Sequence, residues 1–211
     1  MKTDKLIEML ARGDDPTPQS RSLLRLALTL GAGLAVSVTL LALWLGVRPD
    51  IGVAMMPVMM KAAFSAAAAA AALPLAARLM KPGRPLGWRL GAVALFVALA
   101  ALVSFTALMG EEPGERMRAW TGGGFPWCLV LVPVLGAPTA ALLLWLMRAF
   151  TPTRLTMAGA AIGAVSGGVG AMAYSMYCPI DSVAFVTTWY VLAIALCAVL
   201  GAVIGARVLR W

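Results

Sequence analysis

The sequence predicts an all-α integral membrane protein: a six-helix transmembrane bundle with a short cytoplasmic N-terminal helix. Three observations predict it. The 211-residue chain is 62% hydrophobic and only 12% charged, more apolar surface than a soluble domain of this size can bury. Its mean hydropathy is +0.90. The apolar residues also gather into six stretches of the length that crosses a bilayer core as a helix. Helix is the expected form, because lipid offers no partner to unpaired backbone groups and the alternating pattern of a membrane β-barrel is missing.

The spans are read at Leu26–Val47, Met55–Met80, Leu90–Met109, Cys128–Met147, Leu155–Tyr174 and Ala184–Arg207. The first run is too long for a signal-peptide core and lacks a small-residue cleavage site, so it is expected to stay as an anchor. Residues 1–25 form an N-terminal cytoplasmic segment, and residues 26–211 form the membrane domain.

Charge sets the expected orientation. Of the 17 lysines and arginines, 13 fall in the N-terminal segment, the 78–89 and 148–154 loops and the C-terminal tail. Only Arg48, Arg116 and Arg118 lie on the other side, together with Asp50, Glu111, Glu112, Glu115 and Asp181. By the positive-inside rule both termini are cytoplasmic. The same bias explains the net charge of +8 without any direct nucleic-acid partner. Membrane lipid is the expected surrounding.

Small residues recur every fourth position in the last two spans, as Gly159, Gly163 and Gly167 and as Ala193, Cys197, Gly201 and Gly205. Such rows let helix backbones approach closely. Cys197 is then a small packing residue near mid-bilayer, and the alanine-rich run from Ser65 to Ala72 has the same role. Lys61 is the cation well inside a span. It either snorkels to the outer surface or pairs internally with Asp181 or Asp50.

The gap between the last two spans reads Tyr177-Cys178-Pro179-Ile180-Asp181-Ser182. Cys128 opens the fourth span and Cys178 closes the fifth, so both thiols are expected at the outer boundary. Pro126 and Pro179 break the adjacent helices, which places each thiol where solvent or a ligand reaches it. Ser182 suits the N-cap of the last helix. The thiols are a structural disulfide, a switch responding to oxidants or soft metals, or unrelated packing residues. Two sulfurs and one carboxylate do not complete a closed tetrahedral site. Histidine is absent and the three cysteines form no C-x-x-C pair. No metal site, cofactor or catalytic centre is therefore expected.

At the other end, residues 3–12 suit a short helix, with Thr3 as N-cap, Gly13 just past its end and Leu6, Ile7 and Leu10 on one face. Asp14-Asp15-Pro16-Thr17-Pro18 reads as an extended linker. The apolar face either lies on the membrane surface or docks in a partner's groove.

The segments "MKTDKLIEMLARG", "WCLVLVPVLGAP" and "CPIDSVAFVTTWY" carry a resemblance. The chain resembles, over essentially its whole length, the NrsF-like family of bacterial inner-membrane anti-sigma factors. The resemblance implies a non-enzymatic regulator that holds an extracytoplasmic-function sigma factor inactive until metal or oxidative stress releases it. It implies Cys128 and Cys178 as paired sensor cysteines; beside them Tyr177 stands where the family commonly has a histidine, and Asp181 lies one place past the family's acidic position. Leu6, Ile7 and Leu10 are then the expected sigma-factor-binding face. The rival functions are a small-solute transporter or channel and a membrane thiol redox protein. Against the first stands the scarcity of ionisable residues in the spans; against the second, the lack of a proximal dithiol motif.

Overall fold

The computed structural model describes residues 19–80, 87–124, 126–150 and 152–210. The helix expected over residues 3–12, with Leu6, Ile7 and Leu10, lies outside them. Seven helical elements follow one another: α1 (Gln19–Trp44), α2 (Met55–Leu79), α3 (Trp88–Gly110), α4 (Arg116–Thr121), α5 (Cys128–Arg148), α6 (Leu155–Tyr174) and α7 (Val183–Val208). All but α4 are long and apolar enough to cross a membrane, and no strand occurs among the described residues. The six expected spans match these helices to within three residues at each end, except that α1 begins seven residues before the expected Leu26.

The order of packing follows side-chain size. α6 is the richest in glycine and alanine, and 67% of its apolar stretch is buried, against 11% for α3. It packs against α2, α5 and α7, while α3 lies at the edge and touches α2 and the start of α7. Where α6 meets α7 the contact is backbone on backbone. A Cβ on Gly159 would overlap the carbonyl of Gly201, and one on Gly163 would overlap that of Cys197. A Cβ on Gly168 would come within 2.8 Å of the Ala69 methyl on α2. The two small-residue rows and the alanine-rich run are thus packing surfaces, and buried Cys197 sits among them.

Prolines stand inside two spans, Pro74 in α2 and Pro133 and Pro138 in α5. A membrane helix tolerates them where neighbours supply contacts. α1 is tied to α5 by the Ser37 hydroxyl, which donates to the Leu135 carbonyl at 2.6 Å. Gly33 of α1 lies against Thr139 so closely that a Cβ there would overlap it.

Helix α7 is uneven. Ser182 caps its first turn by accepting the Phe185 N–H at 3.5 Å. Residues Val186–Tyr190 then form a π-helical segment before regular α-helix resumes at Val191. The segments 45–54, 111–124 and 175–182 meet at one end of the bundle. There Arg48 N–H donates to the Met176 carbonyl, and the Trp189 indole N–H donates to the Trp120 carbonyl at 2.8 Å.

Candidate functional site

The site is the interrupted segment between α6 and α7. Past Tyr174 the chain turns, and Pro179 has no N–H to continue a ladder. The carbonyls of Cys178 and Ile180 need donors from elsewhere, and two cations from distant elements supply them. Lys61 Nζ, from α2, donates to Cys178 O at 2.8 Å, Ile180 O at 3.1 Å and Asp181 Oδ1 at 2.7 Å. Arg48, just beyond α1, donates to Cys178 O at 3.2 Å and Asp181 Oδ1 at 3.0 Å. Its other edge holds both oxygens of Asp50 at 2.8 Å.

This arrangement decides the status of Lys61. The residue is only 3% exposed and points into the gap, so it does not snorkel. Its carboxylate partner is Asp181; Asp50 is taken by Arg48. Two cations and two carboxylates make the cluster neutral, which offsets the cost of burying charge beside lipid. The mutual support reaches the titration behaviour. Hydrogen bonds to Asp50 and Asp181 raise the Arg48 guanidinium above its ordinary range despite its burial. Burial pushes the Asp181 carboxyl up, but hydrogen bonds from Arg48 and Lys61 outweigh it and hold the group below the usual carboxylate value. The Arg48 bond likewise lowers Asp50.

Under the ionic layer lies the thiol layer. Cys128 and Cys178 are each fully buried and belong to one core cluster with Tyr174, Phe185 and Tyr190. Both are free thiols. The expectation that solvent reaches them is therefore corrected. The prolines do interrupt the helices, but aromatic rings close over the break. Tyr174 packs on Tyr177 and Tyr190 with ring centroids 5.9 and 5.8 Å away, and Tyr177 is itself half-buried. The Tyr190 hydroxyl is buried in the same cluster without a hydrogen-bond partner. Among the described residues no three His, Cys, Asp or Glu side chains gather as a metal-binding group.

A cover completes the site. Gly122, in left-handed conformation at φ 67°, ends α4, and a Cβ there would overlap Ile180. The Trp120 and Trp189 rings pack nearby, tilted by 36° with centroids 5.5 Å apart.

Sequence reasoning brought together Cys128, Cys178, Asp181 and Lys61 but missed Arg48 and α4. Arg48 had one signal: a cation beside a carboxylate on the cation-poor side. The six residues of α4 had none, being too short for periodicity to show.

The fold and site define a polytopic helical protein with the dimensions of a membrane bundle, closed at one end by an ion-locked segment over two thiols. Comparison with known proteins narrows the class. Residues 10–211 match the family model described as negative regulator of sigma F. The chain is similar to a probable anti-sigma-F factor NrsF from Azospira oryzae, 35% identical over 214 residues and covering all of both chains. It is similar in the same degree, over 219 residues and again the whole of both chains, to the anti-sigma-F factor NrsF of Caulobacter vibrioides. This chain belongs to the negative regulator of sigma F (NrsF) family. No solved structure matches it.

Proposed function

We propose that this chain is an anti-sigma factor of the bacterial inner membrane, with both termini cytoplasmic. It sequesters an extracytoplasmic-function sigma factor through Leu6, Ile7 and Leu10. It releases that factor when metal or oxidative stress acts on Cys128 and Cys178. Family membership and the names of both full-length relatives support the regulatory reading. The charge asymmetry of the loops supports the orientation.

One observation carries the sensing half: Cys178 belongs to the segment that Arg48 grips through the Cys178 and Met176 carbonyls. Arg48 stands just beyond α1, and α1 is the helix that leads back to the N-terminal segment. A change at the thiols moves residues 176–181, and Arg48 passes that movement to α1. Oxidation joins the two sulfurs in a disulfide and gives up two protons and two electrons to an oxidant such as hydrogen peroxide, which is reduced to water. A soft metal ion instead takes both sulfurs as thiolates, and the two thiol protons are released to solvent. Burial keeps the thiols unreactive at rest, since reactive cysteines need access and stabilised thiolate. The switch thus includes an opening of the ionic layer.

At the other end, burying three aliphatic side chains yields roughly 4–8 kcal/mol before ordering costs, which suits a complex meant to be released. Copurification of the sigma factor, with and without oxidant, tests both halves. The Leu6→Asp/Leu10→Asp variant should lose the partner while still inserting in the membrane. Cys128→Ser and Cys178→Ser should keep the partner but not release it. Partner retention by the Asp variant would refute the docking face, and normal release by both serine variants would refute the sensor.

A further inference from the structure

Beside the ion cluster, between α2, α3 and the first turns of α7, lies a cavity of about 340 Å³, within the roughly 300–1,000 Å³ typical of small-molecule sites. Its walls are Pro57, Phe64 and Val186, and its polar end is made by Lys61, Asp181 and Thr187. The mouth is flanked by Met60, Val103 and Val183, which are 65%, 43% and 51% exposed on the faces the bundle turns to lipid. Val186 and Thr187 belong to the π-helical segment, a distortion that recurs at functional sites. α3, the least buried span, forms one side.

The hydrogen-bonding capacity of the polar end selects the occupant. All three N–H groups of Lys61 are engaged, by Cys178 O, Ile180 O and Asp181 Oδ1. The Thr187 hydroxyl donates to the Val183 carbonyl at 2.8 Å. Asp181 is different: Oδ1 is shared by two cations, but Oδ2 receives only a long 3.4 Å bond from Arg48, and the side chain is 36% exposed. The cavity therefore offers spare acceptors and no spare donor. An acceptor-only head, such as a quinone carbonyl, meets nothing complementary. An N–H-bearing cation does, because a charge-assisted bond to a carboxylate is about twice as strong as a neutral one.

The geometry points to a binding site for one bilayer lipid with a primary ammonium headgroup, such as phosphatidylethanolamine. An acyl chain enters sideways past Met60 and Val103, and the ammonium rests on Asp181 Oδ2. The occupant is a lipid rather than a soluble amine, because the opening is bordered by lipid-facing apolar side chains. This assignment stands apart from the sigma-factor reading. Its consequence is that the lipid braces the carboxylate on which both cations of the lock converge.

The test is native mass spectrometry of the full chain released from nanodiscs of equimolar phosphatidylethanolamine, phosphatidylglycerol and phosphatidylcholine. The choline headgroup carries a cation but no N–H. One phosphatidylethanolamine should be retained over each of the others on the order of tenfold. Val103→Trp, which narrows the cavity from α3 and removes no hydrogen bond of the ion cluster, should abolish retention while leaving thermal stability near the parent's. Asp181→Asn should remove the preference among headgroups. Excess ethanolamine should leave the preference intact; abolition by ethanolamine would identify a soluble amine and overturn the lipid assignment. Equal retention of the three lipids, preference for phosphatidylglycerol, or undiminished retention by Val103→Trp would overturn it as well.

Discussion

The middle of the bundle and its gap-bearing end are held by different physics. In the middle, α6 and α7 touch through Gly159, Gly163, Gly201 and Gly205, with carbonyls where a side chain would otherwise stand. At the end, Arg48, Lys61, Asp50 and Asp181 hold the carbonyls of a broken helix over two free thiols. The first contact is steric and has one solution, because packed backbones cannot yield. The second is electrostatic, and a change of charge or covalent state can reverse it.

The steric half should break hardest. Gly163→Val puts a branched side chain against the Cys197 carbonyl and should cost about 3 kcal/mol, the upper range for overpacking a core. Unfolding in mixed micelles would register the loss, along with lower membrane abundance. An unaffected variant would mean that α6 and α7 can move apart freely.

The electrostatic half comes next. Asp181→Ala leaves Lys61 buried without its carboxylate, a change that costs about 3–5 kcal/mol in a fully buried pair. Asp181 is 36% exposed, so about 2 kcal/mol is expected. Adding Lys61→Met removes the stranded charge and should recover part of that loss. If the double variant is no better than Asp181→Ala, the Lys61–Asp181 pair does not carry the coupling. Measured unfolding free energies of the two single variants and the double variant decide the matter.

What the sequence made legible divides along the same line. Span limits and glycine rows follow from local composition and period, so α6 and α7 could be marked as close-packing helices before any coordinates. The lock depends on contacts between residues more than a hundred positions apart, such as Lys61 with Asp181. Sequence could offer Asp181 only as one of two partners for Lys61, and it gave no reason to join Arg48 to Cys178. Thiol exposure was misread for a related reason. A proline marks a break in a helix, but whether Tyr174, Tyr177 and Tyr190 close over that break is decided by packing.

A smaller effect concerns pH. The Asp181 and Asp50 carboxyls are held below their ordinary values by Arg48 and, for Asp181, by Lys61. A depressed carboxylate contributes stability above its unfolded pKa, and that stability is lost as pH falls through the folded value. The lock should be intact at neutral pH and loosen only below about pH 4. Asp181→Asn should flatten most of that acid dependence, as followed by tryptophan fluorescence of the Trp120–Trp189 pair. A parent protein whose gap-bearing end is insensitive to acid would remove the carboxylates from the lock.

The central claim is that the ionic layer keeps Cys128 and Cys178 buried, and thiol labelling tests it most directly. Intact cells with a permeabilised outer envelope are treated with a membrane-impermeant maleimide, and modification of each cysteine is followed by mass spectrometry. In the parent protein all three thiols should label slowly. In Asp181→Ala, Cys128 and Cys178 should label many times faster, while Cys197, held between glycines of α6, stays protected and shows that the bundle is intact. Rapid labelling of the parent's Cys128 and Cys178, or no acceleration in Asp181→Ala, would contradict the claim.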